Sequence, residues 1–141
     1  MIVNSLYAFL SSLGFGIIFN IRGKNLIIAS IGGGLGWFTY LLSSKLQPSI
    51  VFSLFLASMV VSIYSEIMAR IYKNPVTIFI ICAIIPLVPG GGMYFATLEA
   101  VKGNFSASLS KGAETLFSAG AIAIGIVFVS SISTIFKKIK K

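Results

Sequence analysis

The sequence predicts an all-α, polytopic membrane protein of five transmembrane helices, the fourth broken at a Pro-x-x-Pro-Gly motif. Three observations predict it. Of 141 residues, 57% are hydrophobic and only 10% charged, where a soluble domain carries roughly a quarter charged residues to cover its surface. The apolar residues gather into five runs close to the ~20 residues that a spanning helix needs. Near the centre of the fourth run stand two prolines and three glycines.

Taken in order, the expected spans are 2–20, 25–44, 49–71, 76–101 and 113–136, together one transmembrane domain covering 1–141. The opening "MIVNSLYAFL" lacks the basic stretch and small-residue cleavage site of a signal peptide, so the first run reads as a permanent helix. Ser5, Ala8, Ser12, Gly16 and Asn20 recur at steps of three or four along it, a stripe on which membrane helices approach one another. In the second run Gly32 and Gly36 form a GxxxG spacing suited to close crossing. Trp37 and Tyr40 follow toward one end, where aromatic rings favour the membrane interface. The third run places Ser58, Ser62, Ser65, Glu66 and Ala69 on one face, with Arg70 four residues beyond Glu66. The fifth carries Ser118, Ala121 and Gly125 on one face, read as helix contacts. Between the spans lie "IRGK", "KLQP", "YKNP" and a longer polar loop, "KGNFSASLSK".

Charge gives an orientation. With five spans, Arg22, Lys24, Arg70, Lys73 and the tail "KKIKK" share one side, which holds eight positive charges against Lys45, Lys102 and Lys111 on the other. The richer side is expected to be cytoplasmic. The chain is then a multi-pass cell-membrane protein with its N-terminus outside and its C-terminus inside. The net charge of +8 is mostly this topology signal. Scattered over short loops, it argues against nucleic acid as a partner, while the tail is suited to contact with membrane lipid.

Several chemistries are excluded by what is missing. There is no histidine, one cysteine (Cys82, within the fourth run) and three acidic residues in all. A metal site needs several convergent ligands, and a Ser-His-Asp or Cys-His constellation needs a histidine. "GGGLGWF" is followed by no Gly-Lys-Ser/Thr, and Trp37 stands where a dinucleotide motif needs its third glycine. The expectation is a non-enzyme with no cofactor and no metal.

Two polar features within the spans invite a functional reading. Glu66 and Arg70 have the i, i+4 spacing of an ordinary interfacial ion pair on a packing face. The sharper reading makes that face the wall of a hydrated pathway, with Glu66 as a coupling or gating group and Arg70 beside it. Counting ~1.5 Å per residue, Glu66 would lie ~8 Å from the cytoplasmic end.

The second feature is "CAIIPLVPGGGMYFATLEA", Cys82 to Ala100. Pro86 and Pro89 each remove a backbone donor and push the preceding residue away from the helical region. With Gly90, Gly91 and Gly92 following, a continuous helix gives way to a half-helix from Val76 to about Ile85, an extended break, and a second half-helix from about Gly91 to Val101. Orphaned backbone groups at a break cost several kcal/mol each in hydrocarbon, so the break must be buried in protein or line a cavity. The second half-helix offers roughly half a positive charge at its N-terminus, which suits a small substrate bearing a carboxylate. Tyr94 and Thr97 are candidate hydroxyl contacts. The plainer account is a double kink that serves packing.

The same residues resemble a known family. "IIPLVPGGGMYFATLEAVKGN" is similar to the Pro-Leu-Val-Pro-Gly-x-x-x-Tyr signature of the threonine/serine exporters. "GFGIIFNIRGKNL", "GGGLGWFTYLL" and "SEIMARIYKNPVTIFI" agree with the segments before it. The chain looks like the small, five-helix subunit of the split, two-chain form. The resemblance implies a secondary exporter of threonine and serine, driven by an ion gradient. It also implies a larger partner subunit with a cytosolic domain and membrane helices of its own. Some two-chain members are associated instead with dicarboxylates such as succinate. Asn20, Pro86, Pro89, Gly90 and Tyr94 match the family's pattern. A rival reading of another class is a scaffold or regulatory membrane protein with no pathway of its own, and a homo-oligomer is compatible with either.

Overall fold

Among the described residues six α-helices follow one another with short connections. They are α1 (Ile2–Ile18), α2 (Lys24–Leu46), α3 (Ile50–Tyr72), α4 (Val76–Ile84), α5 (Gly90–Val101) and α6 (Phe105–Ile139), with a 3₁₀ turn at Ile85–Leu87. The computed structural model describes residues 1–46 and 49–139, the side chains of 136–139 excepted. Gln47 and Pro48 of the "KLQP" loop therefore lie outside the described residues, as do the side chains of the "KKIKK" tail.

Local signals explain the ends. α1 stops where Asn20 turns left-handed at φ 59°, and Gly23 does the same at φ 64° before α2. Ser49 caps α3 by accepting a 3.4 Å hydrogen bond from the Phe52 amide. Lys73 ends α3 at φ 52°, and Pro75 leads into α4, where a missing amide costs nothing.

Among the described residues three helices, α2, α3 and α6 as far as Ile135, are long and apolar enough to cross a membrane. The interrupted pair α4–α5 meets the same test when its halves are taken together, with a bend of 49° between them. α1 is apolar but shorter, at 17 residues.

α2 is the hub, packing against α1, α3 and α4. Its small residues make this possible. A Cβ on Gly36 would strike Val61 of α3, and one on Gly33 would strike Ser12 of α1. Gly32 sits against the Tyr64 ring and Ala83, and the Tyr64 hydroxyl donates a 2.8 Å hydrogen bond across to the Ile28 carbonyl. The expected stripes are largely the buried ones, except that on α1 Ser5 is only half-buried and Asn20 is exposed beyond the helix end. Ala8, Ser12 and Gly16 are buried on α1, and Ser58, Ser62, Ser65, Glu66 and Ala69 on α3. On α6, Gly125 comes close enough to α3 that a Cβ would meet Ser58 and the Phe55 carbonyl. Cys82 is a buried packing residue beside Ala29, Ala69 and Phe79.

Two expectations are corrected. The polar segment before the fifth run is not a loop. The chain turns within Lys102–Asn104, with Gly103 at φ 83°, and is helical from Phe105. At ~1.5 Å per residue α6 is roughly 50 Å long, longer than the ~30 Å hydrocarbon layer. Its first turns pair with α5: the Ser108 hydroxyl donates a 2.8 Å hydrogen bond to the Ala96 carbonyl, and Gly92 packs on Thr115. α5 has no buried residue and packs on α6. The second correction concerns the break, which is a 3₁₀ turn followed by two non-helical residues rather than an extended segment.

Candidate functional site

The break is made chiefly by its second proline. Ile85, before Pro86, keeps helical angles at φ −50°, ψ −46°. Val88, before Pro89, leaves the helical region at φ −55°, ψ 98°, the displacement that a following proline imposes. Pro89 itself sits at φ −38°, ψ 48°. The Gly90 amide turns back to the Val88 carbonyl, and the Met93 amide donates to the Pro89 carbonyl at 3.3 Å. No side chain caps α5. Among the described residues the Gly91 and Gly92 amides are thus left without acceptors, as the first turn of an uncapped helix leaves them.

These amides stand at the wall of a cavity of about 370 Å³, a size within the ~300–1,000 Å³ of small-molecule sites. Pro86 through Gly92 form one side. Trp37 and Tyr40 of α2, with ring centroids 5.1 Å apart, form a second. α6 supplies the third with Lys111, Glu114, Thr115 and Ser118. A Cβ added to Gly90 or Gly91 would meet nothing within 4 Å, so the backbone there is open to approach.

The polar groups of α6 differ in how far they are engaged. The Lys111 ammonium lies 3.8 Å from Glu99 Oε1 and 5.3 Å from the Phe95 ring centroid. Glu99 is shared with Lys102, also at 3.8 Å, and accepts a 2.9 Å hydrogen bond from Asn104. The Thr115 hydroxyl donates to the Lys111 carbonyl at 2.7 Å. Glu114 is exposed and has no ion pair or hydrogen bond among the described residues. Ser118 is only 3% exposed, yet its hydroxyl likewise has no partner there.

The sequence-derived candidates divide. Pro86, Pro89, Gly90, Gly91 and Gly92 are together on the cavity wall. Tyr94 and Thr97 are not among its lining residues. Gly91, Gly92 and Phe95 occupy the cavity face of α5, which turns positions 94 and 97 away. Tyr94 is 62% exposed, and the Thr97 hydroxyl donates 2.9 Å to the Met93 carbonyl. Asn20 is at the far end of α1, accepting a 2.9 Å hydrogen bond from Arg22 Nε. Glu66 and Arg70 form a separate group. Arg70 Nη2 donates 2.7 Å to Ser133 Oγ, which donates 2.7 Å to Glu66 Oε2, with the ions 3.8 Å apart. Twelve residues along α3 separate Glu66 from Leu54 at the cavity, ~18 Å at ~1.5 Å each. Lys111 was hidden by the expectation of a loop, whereas Glu114 stood within the expected fifth span and was not singled out. The signal for Lys111 was the stripe Ser108, Lys111, Thr115, Ser118, which continues the helical spacing of the fifth run upstream.

An uncharacterized protein of Haemophilus influenzae (strain ATCC 51907 / DSM 11121 / KW20 / Rd) is 28% identical over 134 residues, which is 89% of this chain and 45% of that protein. The chain thus spans about half the length of this relative. No solved structure matches. Residues 4–132 match the family described as "Threonine/Serine exporter, ThrE". The chain belongs to the threonine/serine exporter family.

Proposed function

We propose that the chain is the membrane half of a secondary exporter of threonine and serine, working with a larger partner subunit in the cell membrane. The observation that carries this reading is the cavity at the interrupted helix, where amides of α5 and the Ser118 hydroxyl, without partners among the described residues, stand together. An uncapped helix N-terminus draws a carboxylate, and interrupted helices at the midplane are how secondary transporters build such sites.

In this reading the helices cross the membrane five times, α4 and α5 as one broken span, with the N-terminus outside and the C-terminus cytoplasmic. The cavity opens toward the outside. The Glu66–Ser133–Arg70 group lies toward the cytoplasm as the gating or coupling element, poised to exchange its internal hydrogen bonds for an ion. A partner is supported by two facts: the chain spans about half of its relative, and α5 is covered on one side only.

The test is efflux of labelled threonine from preloaded cells carrying this chain alone, the larger chain alone, or both. Export with both and with neither alone is expected. If both reach the membrane and no threonine leaves, the amino-acid assignment falls and the dicarboxylate reading replaces it.

A further inference from the structure

We propose that Glu114 is a specificity-determining residue, receiving the ammonium of an α-amino acid whose carboxylate is held by the α5 N-terminus and Ser118. This rests on the exporter reading and deepens it, because it selects between the two substrate classes that the interrupted helix alone would accept.

Some of the charge around the cavity is already committed and some is left over. Among the described residues Lys111 is the cation on the cavity wall, and it is engaged, as is Lys102 beside the same carboxylate. Lys111 and Lys102 each lie 3.8 Å from Glu99, and Lys111 also rests near the Phe95 ring. Glu114 is the cavity's other charged residue, and among the described residues it has no counter-ion. A ligand entering the cavity therefore meets an unneutralised carboxylate. A second carboxylate on the ligand is repelled there, and an ammonium is attracted.

The carboxylate end has its own observation. Ser118 is 3% exposed, lines the cavity and has no hydrogen-bond partner among the described residues. Its hydroxyl is free to accept or donate toward the cavity, and a bound oxygen would engage it together with the Gly91 and Gly92 amides. Glu114 and Ser118 are one helical turn apart, ~6 Å along α6. That spacing lets one small molecule reach both, with its ammonium at the exposed residue and its carboxylate at the buried one. Such recognition needs no side chain on the ligand, so it reads the amino-acid head group and leaves serine and threonine nearly equal.

The experiment uses the native host with the chromosomal gene replaced by each variant, and membrane abundance measured by immunoblot. Cells are preloaded with labelled threonine, with 2,3-dihydroxybutyrate (threonine with its ammonium replaced by hydroxyl), or with succinate. Wild-type cells should export threonine about tenfold better than either other compound, the factor expected of one charge-assisted contact at an exposed site. Glu114→Gln should bring that ratio close to one by slowing threonine. Glu114→Lys should shift the preference toward succinate, and Glu114→Asp should keep most of the wild-type ratio. Equal wild-type export of threonine and its dihydroxy analogue would overturn the proposal without any variant. An unchanged ratio in Glu114→Gln would overturn it while leaving the exporter reading intact. If deleting the gene changes export of none of the three compounds, the exporter reading itself fails.

Discussion

The chain contains the same three-residue run twice, and the two copies do opposite things. Gly32–Gly33–Gly34 lies within α2, where its neighbours press in from several sides: Ala83 and the Tyr64 ring on Gly32, Ser12 on Gly33, the Ser5 carbonyl on Gly34. Gly90–Gly91–Gly92 opens α5, where only Gly92 has a neighbour, Thr115. In the first run the missing side chains let helices touch. In the second they leave backbone that no described residue covers at Gly90 and Gly91. What separates the two is the residue before them. Ile31 continues a helix, whereas Pro89 starts one and strands its first amides.

The largest effect should come from filling each run in turn. Gly33→Leu forces a side chain into α1 at Ser12 and Ala8, with no flexible neighbour to yield. Overpacking of this kind costs ~1–3 kcal/mol and sometimes more, so we expect little folded protein in detergent by size-exclusion chromatography. Gly91→Leu enters open space and should fold normally, yet abolish threonine efflux by occupying the cavity. If Gly91→Leu unfolds the chain as Gly33→Leu does, the contrast between the runs is broken.

Restoring the helix should separate folding from export still more cleanly. In Pro86→Ala combined with Pro89→Ala, Val88 is free to take helical angles and the stranded amides regain carbonyl partners. The protein should stay in the membrane at wild-type abundance and lose export. Full export by this double variant would remove the interrupted helix from the mechanism.

A smaller effect is expected at the opposite end of α3. Glu66→Ala leaves Ser133 without its acceptor and Arg70 without its counter-ion, but Arg70 is half exposed and can turn to solvent. We expect a loss of about 1–2 kcal/mol, read as a lowered melting temperature, with Arg70→Ala costing less. Equal costs would mean that Arg70 is held more firmly than its exposure indicates.

The contrast also marks what could be read from sequence. Stripes of small residues were legible in α1, α2 and α3, because a packing face repeats at helical spacing whatever its partner. The position of the break was legible for the same kind of reason: proline acts on its immediate neighbour. Which proline dominates was not, since Ile85 keeps helical angles despite Pro86 while Val88 does not. The start of α6, up to Lys111 at the cavity, was missed through polarity. "FSASLSK" reads as loop by composition, but Ser108 spends its hydroxyl on Ala96 and Thr115 spends its own on Lys111. These residues are polar by type and internally satisfied in place. Tyr94 and Thr97 show the reverse case, lying off the cavity lining. A hydroxyl near the motif looked useful, and the register of α5 turned both away from the cavity.

The smallest effect is also the most discriminating, because it sets two hydroxyls against each other. Thr97 and Ser118 are both short polar residues near the interrupted helix. Thr97 donates 2.9 Å to Met93 one turn back, so its hydroxyl is engaged whether or not a ligand is present. Ser118 is buried at 3% exposure, lines the cavity and has no partner among the described residues. Thr97→Val should therefore leave the concentration for half-maximal export unchanged. Ser118→Ala should raise it about fivefold, the worth of one hydrogen bond of roughly 1 kcal/mol, while stability holds because no internal bond is lost. A shift in Thr97→Val and none in Ser118→Ala would place the ligand on the opposite face of α5, against whatever covers that helix rather than against α6.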